Sequence, residues 1–94
     1  MKKVNLHGQE LTCIKREYNN GRIALQLVEE DGYPYCSASV NLPDEDMLPQ
    51  EVAIKNYSEC KGVLPALIKA GIVSEQIRSI RSGFIDIPVC ELLI

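Results

Sequence analysis

The chain reads as a single α+β domain: an antiparallel β-sheet of about five or six strands, beginning with an N-terminal meander and packed by one main α-helix. Three observations lead there. The first forty-odd positions alternate apolar and polar residues with the two-residue period of strands, turn-forming dipeptides punctuate that alternation, and one later segment, "GVLPALIKAGIV", carries helical spacing instead. At 94 residues the chain has room for one core, so residues 1–94 form one domain in this reading.

In "VNLHGQELTC" apolar residues stand on both sides of His7-Gly8-Gln9, which predicts a hairpin of residues 2–6 and 11–18. "NNG" at 19–21 follows as a turn, because Asn and Gly tolerate positive φ. In "RIALQLV" the strand period puts Ile23, Leu25 and Leu27 on one face. "EEDGYP" turns the chain again, and "YCSASVNL" sets Cys36, Ala38, Val40 and Leu42 against Tyr35, Ser37, Ser39 and Asn41. Pro43 and Pro49 bracket an irregular acidic connection, after which residues 51–55 form a short strand.

Ser58 is a good N-cap, but a helix begun there would carry Pro65 well inside it, where the lost hydrogen bond and ring clash cost about 3 kcal/mol. Beginning near Gly62 or Val63 places Pro65 in the first turn, where it is tolerated. The expectation is a loose or 3₁₀ turn at 59–62, helix to Ala70, and Gly71 as a left-handed cap. Leu64, Leu67, Ile68 and Ile72 make an apolar stripe that should lie on the sheet. In "RSIRSGFIDIPVCELLI", Ser82-Gly83 turns a short segment, 77–81, into a strand from Phe84 on which Ile85, Ile87 and Val89 share a face. Pro88 cannot donate to a ladder, which predicts an edge strand or a bulge.

A formal charge of −3 and a pI near 5.1 provide no general attraction to phosphate backbones, which argues against direct nucleic-acid binding. "MKKVNLHGQE" lacks the apolar run of a signal peptide, and no stretch reaches the roughly eighteen apolar residues of a membrane span, so a cytoplasmic location without membrane contact is expected. The four cysteines, Cys13, Cys36, Cys60 and Cys90, then read as reduced thiols without the paired spacing of zinc knuckles. Cys13 and Cys36 fall among core positions, whereas Cys60, near the helix start, is expected to be the most exposed. With one histidine, a catalytic triad and a two-histidine metal site are excluded, and His7 reads as a polar hairpin residue rather than a base. "DEDMLPQE" lacks the ligand pattern of a calcium loop and reads as solvated, and no Gly-rich phosphate loop occurs. No catalytic, metal-binding or cofactor-binding residue is assigned, and no cofactor is expected.

The candidate site is a protein-contact surface. Two acidic clusters, Glu29-Glu30-Asp31 and Asp44-Glu45-Asp46, lie in the connections flanking the fourth strand, and Tyr33 and Tyr35 flank Pro34 beside the first. Tyrosines next to carboxylates can join apolar contact to charge complementarity with a basic partner. The competing reading is that these tyrosines pack over the sheet edge with their hydroxyls in water.

"NNGRIALQLVEEDGYPYCSASVNLPDEDMLPQEVAIKNYSECKGVLPALIKAGIV" followed by "SGFIDIPVCELL" resembles a family of small proteins of unknown function carried by phages and integrative or conjugative elements of low-GC Gram-positive bacteria. The resemblance covers almost the whole chain, and "NLP", "IKNYSE", "LIKAGIV" and "SGF" with "PVC" are its most recognisable parts. Members usually carry an acidic residue where this chain has Pro65 and Asn-Glu where it has Cys60-Lys61, which puts an uninterrupted helix in doubt here. The family brings no established activity and no functional residue to carry over. What the resemblance implies is a setting, in which small accessory proteins of mobile elements bind and inhibit or redirect a host protein. The expectation is therefore a non-enzymatic protein that binds a host protein, a basic one, and inhibits a defence or regulatory factor; self-association is compatible with the sequence. The alternative is a module that sequesters a small molecule or nucleotide, and a small enzyme comes third.

Overall fold

The computed structural model describes residues 2–94. Its elements are β1 (Lys2–Leu6), β2 (Gln9–Glu17), β3 (Ile23–Val28), β4 (Pro34–Ser37), β5 (Glu51–Ala53), a 3₁₀ turn (Ser58–Cys60), α1 (Val63–Lys69), β6 (Arg78–Ser82) and β7 (Ile85–Glu91). The class is the expected α+β, but the strands divide into two antiparallel sheets, ordered β1-β2-β3-β4 and β5-β7-β6.

The first sheet is the expected meander. His7 and Gly8 both take positive φ, 54° and 76°, as a two-residue type I′ turn requires, and so close Leu6 against Gln9. Register then brings Val4 opposite Leu11 and lines up Cys13, Leu27 and Cys36 across three strands, all buried. The other face stays wet, with Lys3 donating to Thr12 and Arg16 to Gln26.

Beyond Ser37 the expected long fourth strand stops. The Ala38 amide still bonds to the Leu25 carbonyl of β3, but the Val40 amide donates to Ala53 and the Lys55 amide to Ala38, so the chain crosses from one sheet to the other. Ser39 bridges to Ile54 at that crossing and is buried, contrary to its predicted place on the solvent face. A hydroxyl serves there because the Leu25 amide needs an acceptor, which Ser39 Oγ provides at 2.9 Å while also bonding the Tyr18 hydroxyl.

Residues 53–72 follow the expected course closely. The 3₁₀ turn precedes α1, Pro65 is the third helical residue, and Gly71, at φ 75°, follows the helix in the left-handed region. The helix N-terminus is capped by Asn56, whose side-chain oxygen accepts the Leu64 amide proton. Val63 and Leu67 are fully buried and Leu64 and Ile68 partly so, as α1 packs against β1. The core continues through Val52, Ile54 and Cys90 of the second sheet, so the meander's apolar face is covered by a helix and a sheet together.

Pro88 does not lie on an edge strand, because β7 is central, between β5 and β6. The resolution is in the register. Ile54 comes directly after β5, next in line opposite Pro88, and donates its amide to the Pro88 carbonyl; the reciprocal bond, which proline cannot make, falls where the β5 ladder ends. On the other side Pro88 faces Ser79. The last hairpin turns at Gly83-Phe84, with Gly83 at φ 62°, and Ile85 is exposed rather than sharing the burial of Ile87 and Val89. No helix among the described residues is long and apolar enough to cross a membrane.

Candidate functional site

In an up-and-down meander the first and third turns fall at the same end of the sheet. That topology sets Gly8, Gln9 and Glu10 beside Glu29, Glu30 and Asp31, and together they line an open depression with four carboxylates around it. The third turn is well held: the Gly32 amide donates to the Glu29 carbonyl, the Glu29 amide to Tyr33, and the Tyr33 amide to Asp31 Oδ1. This ordering leaves Tyr33 69% exposed at the turn. Glu10 had no mark in the sequence beyond its place after the first turn, and only the pairing of alternate turns could have found it.

Tyr35 is not a loop residue. It belongs to β4, packs against the core partly buried, and its hydroxyl lies 3.0 Å from His7 Nδ1. His7 Nε2 lies 2.7 Å from the Lys61 carbonyl oxygen, which can only accept, so Nε2 carries the proton. In the neutral ring Nδ1 is then the acceptor of the tyrosine proton. The histidine thereby clasps the first turn to β4 and to the chain entering α1. Both ring nitrogens are thus engaged within the chain.

The second acidic cluster is elsewhere. Asp44, Glu45 and Asp46 have exposed side chains, but their segment is not a loose solvated loop. Arg22, at the opposite end of the meander from Glu29–Asp31, donates to the carbonyls of Leu42 and Glu45, and Arg78 of β6 donates to that of Asp46. Arg78 also grips buried Glu51, with Nη2 2.9 Å from Oε1, and the same carboxylate accepts the Leu48 amide. These bonds hold the Glu51 carboxyl below the usual carboxylate range, the Arg78 contact first and the Leu48 amide next, against the opposing effect of burial. The structure therefore divides the eight candidate residues: Glu29, Glu30, Asp31 and Tyr33 belong to the turn leading into β4, Tyr35 packs against the core, and Asp44, Glu45 and Asp46 belong to a strap tied to both sheets.

All four cysteines are buried and unbridged. Cys60, expected to be the most accessible, is fully buried because the 3₁₀ turn tucks it under β4, where its thiol donates to the Ser37 carbonyl at 3.2 Å. Burial pushes Cys13 and Cys90 up to about 11, while Cys36, also buried and hydrogen-bonded to the Cys60 thiol, is pushed up to about 12. Cys60 is raised as well, chiefly by burial, and the bond from Cys36 pulls against that. Thiols so disfavoured as thiolates are packing groups. Among the described residues no group of three or more His, Cys, Asp or Glu is placed to hold a metal ion.

No family model matches the chain, and neither the curated proteins nor the solved structures contain a significant match to it.

Proposed function

We propose that this chain is a non-enzymatic accessory protein of a phage or mobile element, acting in the cytoplasm by binding a basic host protein and inhibiting a defence or regulatory factor. The observation that carries the binding role is the convergence of Glu10 with Glu29, Glu30 and Asp31 in one open depression, next to an exposed tyrosine on an ordered turn. Four carboxylates focus a negative field that speeds encounter with a positive surface, and a tyrosine held at low entropic cost supplies the apolar anchor. The openness of the depression suits a protein side chain or loop better than an enclosed small ligand. The mobile-element setting rests on the sequence resemblance. Both His7 nitrogens being engaged and every thiol being buried favour binding over catalysis.

The test is affinity capture from host lysate followed by kinetics with the captured protein at two salt concentrations. Replacing Glu29, Glu30 and Asp31 by their amides should slow association and reduce its salt dependence, and Glu10→Gln should add to the effect. Tyr33→Ala should mainly accelerate dissociation. Unchanged rates in folded variants would place the binding face elsewhere.

A further inference from the structure

The strand β6 ends the second sheet, with β7 on one side and no strand on the other among the described residues. Which of its backbone groups face outward follows from the hairpin. Gly83 and Phe84 form a two-residue turn with positive φ at the glycine, type II′, which closes Ser82 and Ile85 as a hydrogen-bonded pair. Alternation along the ladder makes Ile80 and Ile87 the next such pair, so the amides and carbonyls of Ser79 and Arg81 point away from β7. Pro88 opposite Ser79 fits this phase, since that pair asks no amide of the proline.

Exposed edges are usually guarded by charged side chains standing over them. Here both arginines of β6 are engaged by groups of their own chain, although Arg78 is 40% and Arg81 66% exposed. Arg78 reaches Glu51 and the Asp46 carbonyl, and Arg81 donates to the Gly83 carbonyl and lies 3.9 Å from Asp86. Beside this edge stand Phe84, 97% exposed at the hairpin tip, and Ile77, 54% exposed.

We propose that the β6 edge pairs with the β6 edge of a second copy of this chain, antiparallel about a two-fold axis at Ile80. The sequence Arg78-Ser79-Ile80-Arg81-Ser82 selects that register. With Ile80 opposite its equivalent, Ser79 faces the second copy's Arg81 and Arg81 its Ser79, so every outward amide and carbonyl of the two residues finds a partner. Arginine meets serine at each position, never arginine, and Gly83 and Phe84 come to lie beside the second copy's Ile77 and Gln76, which brings the exposed Phe84 and Ile77 to neighbouring positions at each end of the shared edge. Centring on Arg81 instead would set like charges face to face. Centring on Ser79 would spend an outward pair on Ile77, whose amide is already bonded to Val89. The product is one continuous six-stranded sheet.

Sedimentation velocity from about 5 to about 500 µM should show a reversible monomer–dimer equilibrium, within the range expected of a small interface. Ser79→Pro removes one outward amide that the monomer does not use, so it should weaken dimerisation at least about tenfold while leaving the thermal midpoint of dilute protein nearly unchanged. Hydrogen exchange of the wild-type chain provides an independent measurement, free of any folding defect in the variant: the Ser79 and Arg81 amides should gain protection as concentration rises. A wild-type chain that stays monomeric throughout, a dimer that persists in folded Ser79→Pro, or Ser79 and Arg81 amides whose exchange ignores concentration would each overturn the proposal. Because the acidic depression lies on other turns, its amide variants should dimerise like the wild type.

Discussion

Ser39 Oγ is the acceptor for the buried Leu25 amide, so Ser39→Ala leaves that donor unpaired and should cost about 1 to 3 kcal/mol in denaturant unfolding, more than the loss of a surface serine. The alternation of "YCSASVNL" hid this residue, because a period-two pattern says which side a position faces but not that the chain is about to leave its sheet. Glu51 was equally invisible: one glutamate after a proline-bracketed loop has no signature of burial, and its partner lies 27 positions away. Its carboxyl titrates lower in the folded than in the unfolded chain, so the unfolded state binds more protons in acid and stability rises with pH. The contribution should be complete above about pH 5 and fade as pH falls through the folded value, and Glu51→Gln should flatten that part of the stability profile. Arg78→Ala should lower stability in denaturant unfolding, by less than the full penalty for orphaning a buried charge because the arginine is itself partly exposed. The thiols offer a third check at this scale. Burial and raised pKa together should make all four cysteines slow to alkylate in the native state and quick in denaturant, and a single fast site would contradict the placement of Cys60.

Among the elements, α1 was the most legible, because the proline restricted its start and the glycine its end before any tertiary contact was considered. What the spacing could not rank was depth. Leu67→Ala should cost about 2 to 4 kcal/mol, the range for a fully buried aliphatic, while Ile68→Ala should cost less, since half of that stripe stays near solvent. Pro65→Ala should change the thermal midpoint little, the proline being exposed in the first turn and owing no intrahelical bond. Strand β7 shows the opposite limit. A rule about proline at edges is really a rule about one missing amide, and a three-residue neighbour is short enough for that amide to fall beyond its end.

At the scale of the molecule, the turns and the meander's apolar face were readable because both depend on neighbours in sequence, whereas the division into two sheets depends on where residues 38–40 and 53–55 meet. The same distinction explains the candidate surface: its tyrosine and three of its carboxylates were visible as a local cluster, and Glu10 joined them only through the fold. A core made by helix and both sheets, with its four thiols unbridged and no metal-holding cluster among the described residues, should show one cooperative thermal transition that chelator and reductant leave in place.

The crossing at Ser39 has a consequence for how the chain is made. Strands β2 to β4 each pair with the strand before them and can assemble as they leave the ribosome, but β5 must wait for β7, which emerges more than thirty residues later. Until then the Ser39–Ile54 bridge ties this segment to the finished meander, and it holds the apolar residues Val52 to Ile54 against folded protein instead of leaving them exposed to solvent. A released chain truncated after residue 77 should accordingly resist protease through the meander and be cut beyond it, and loss of the Ser39 hydroxyl should widen that window of vulnerability.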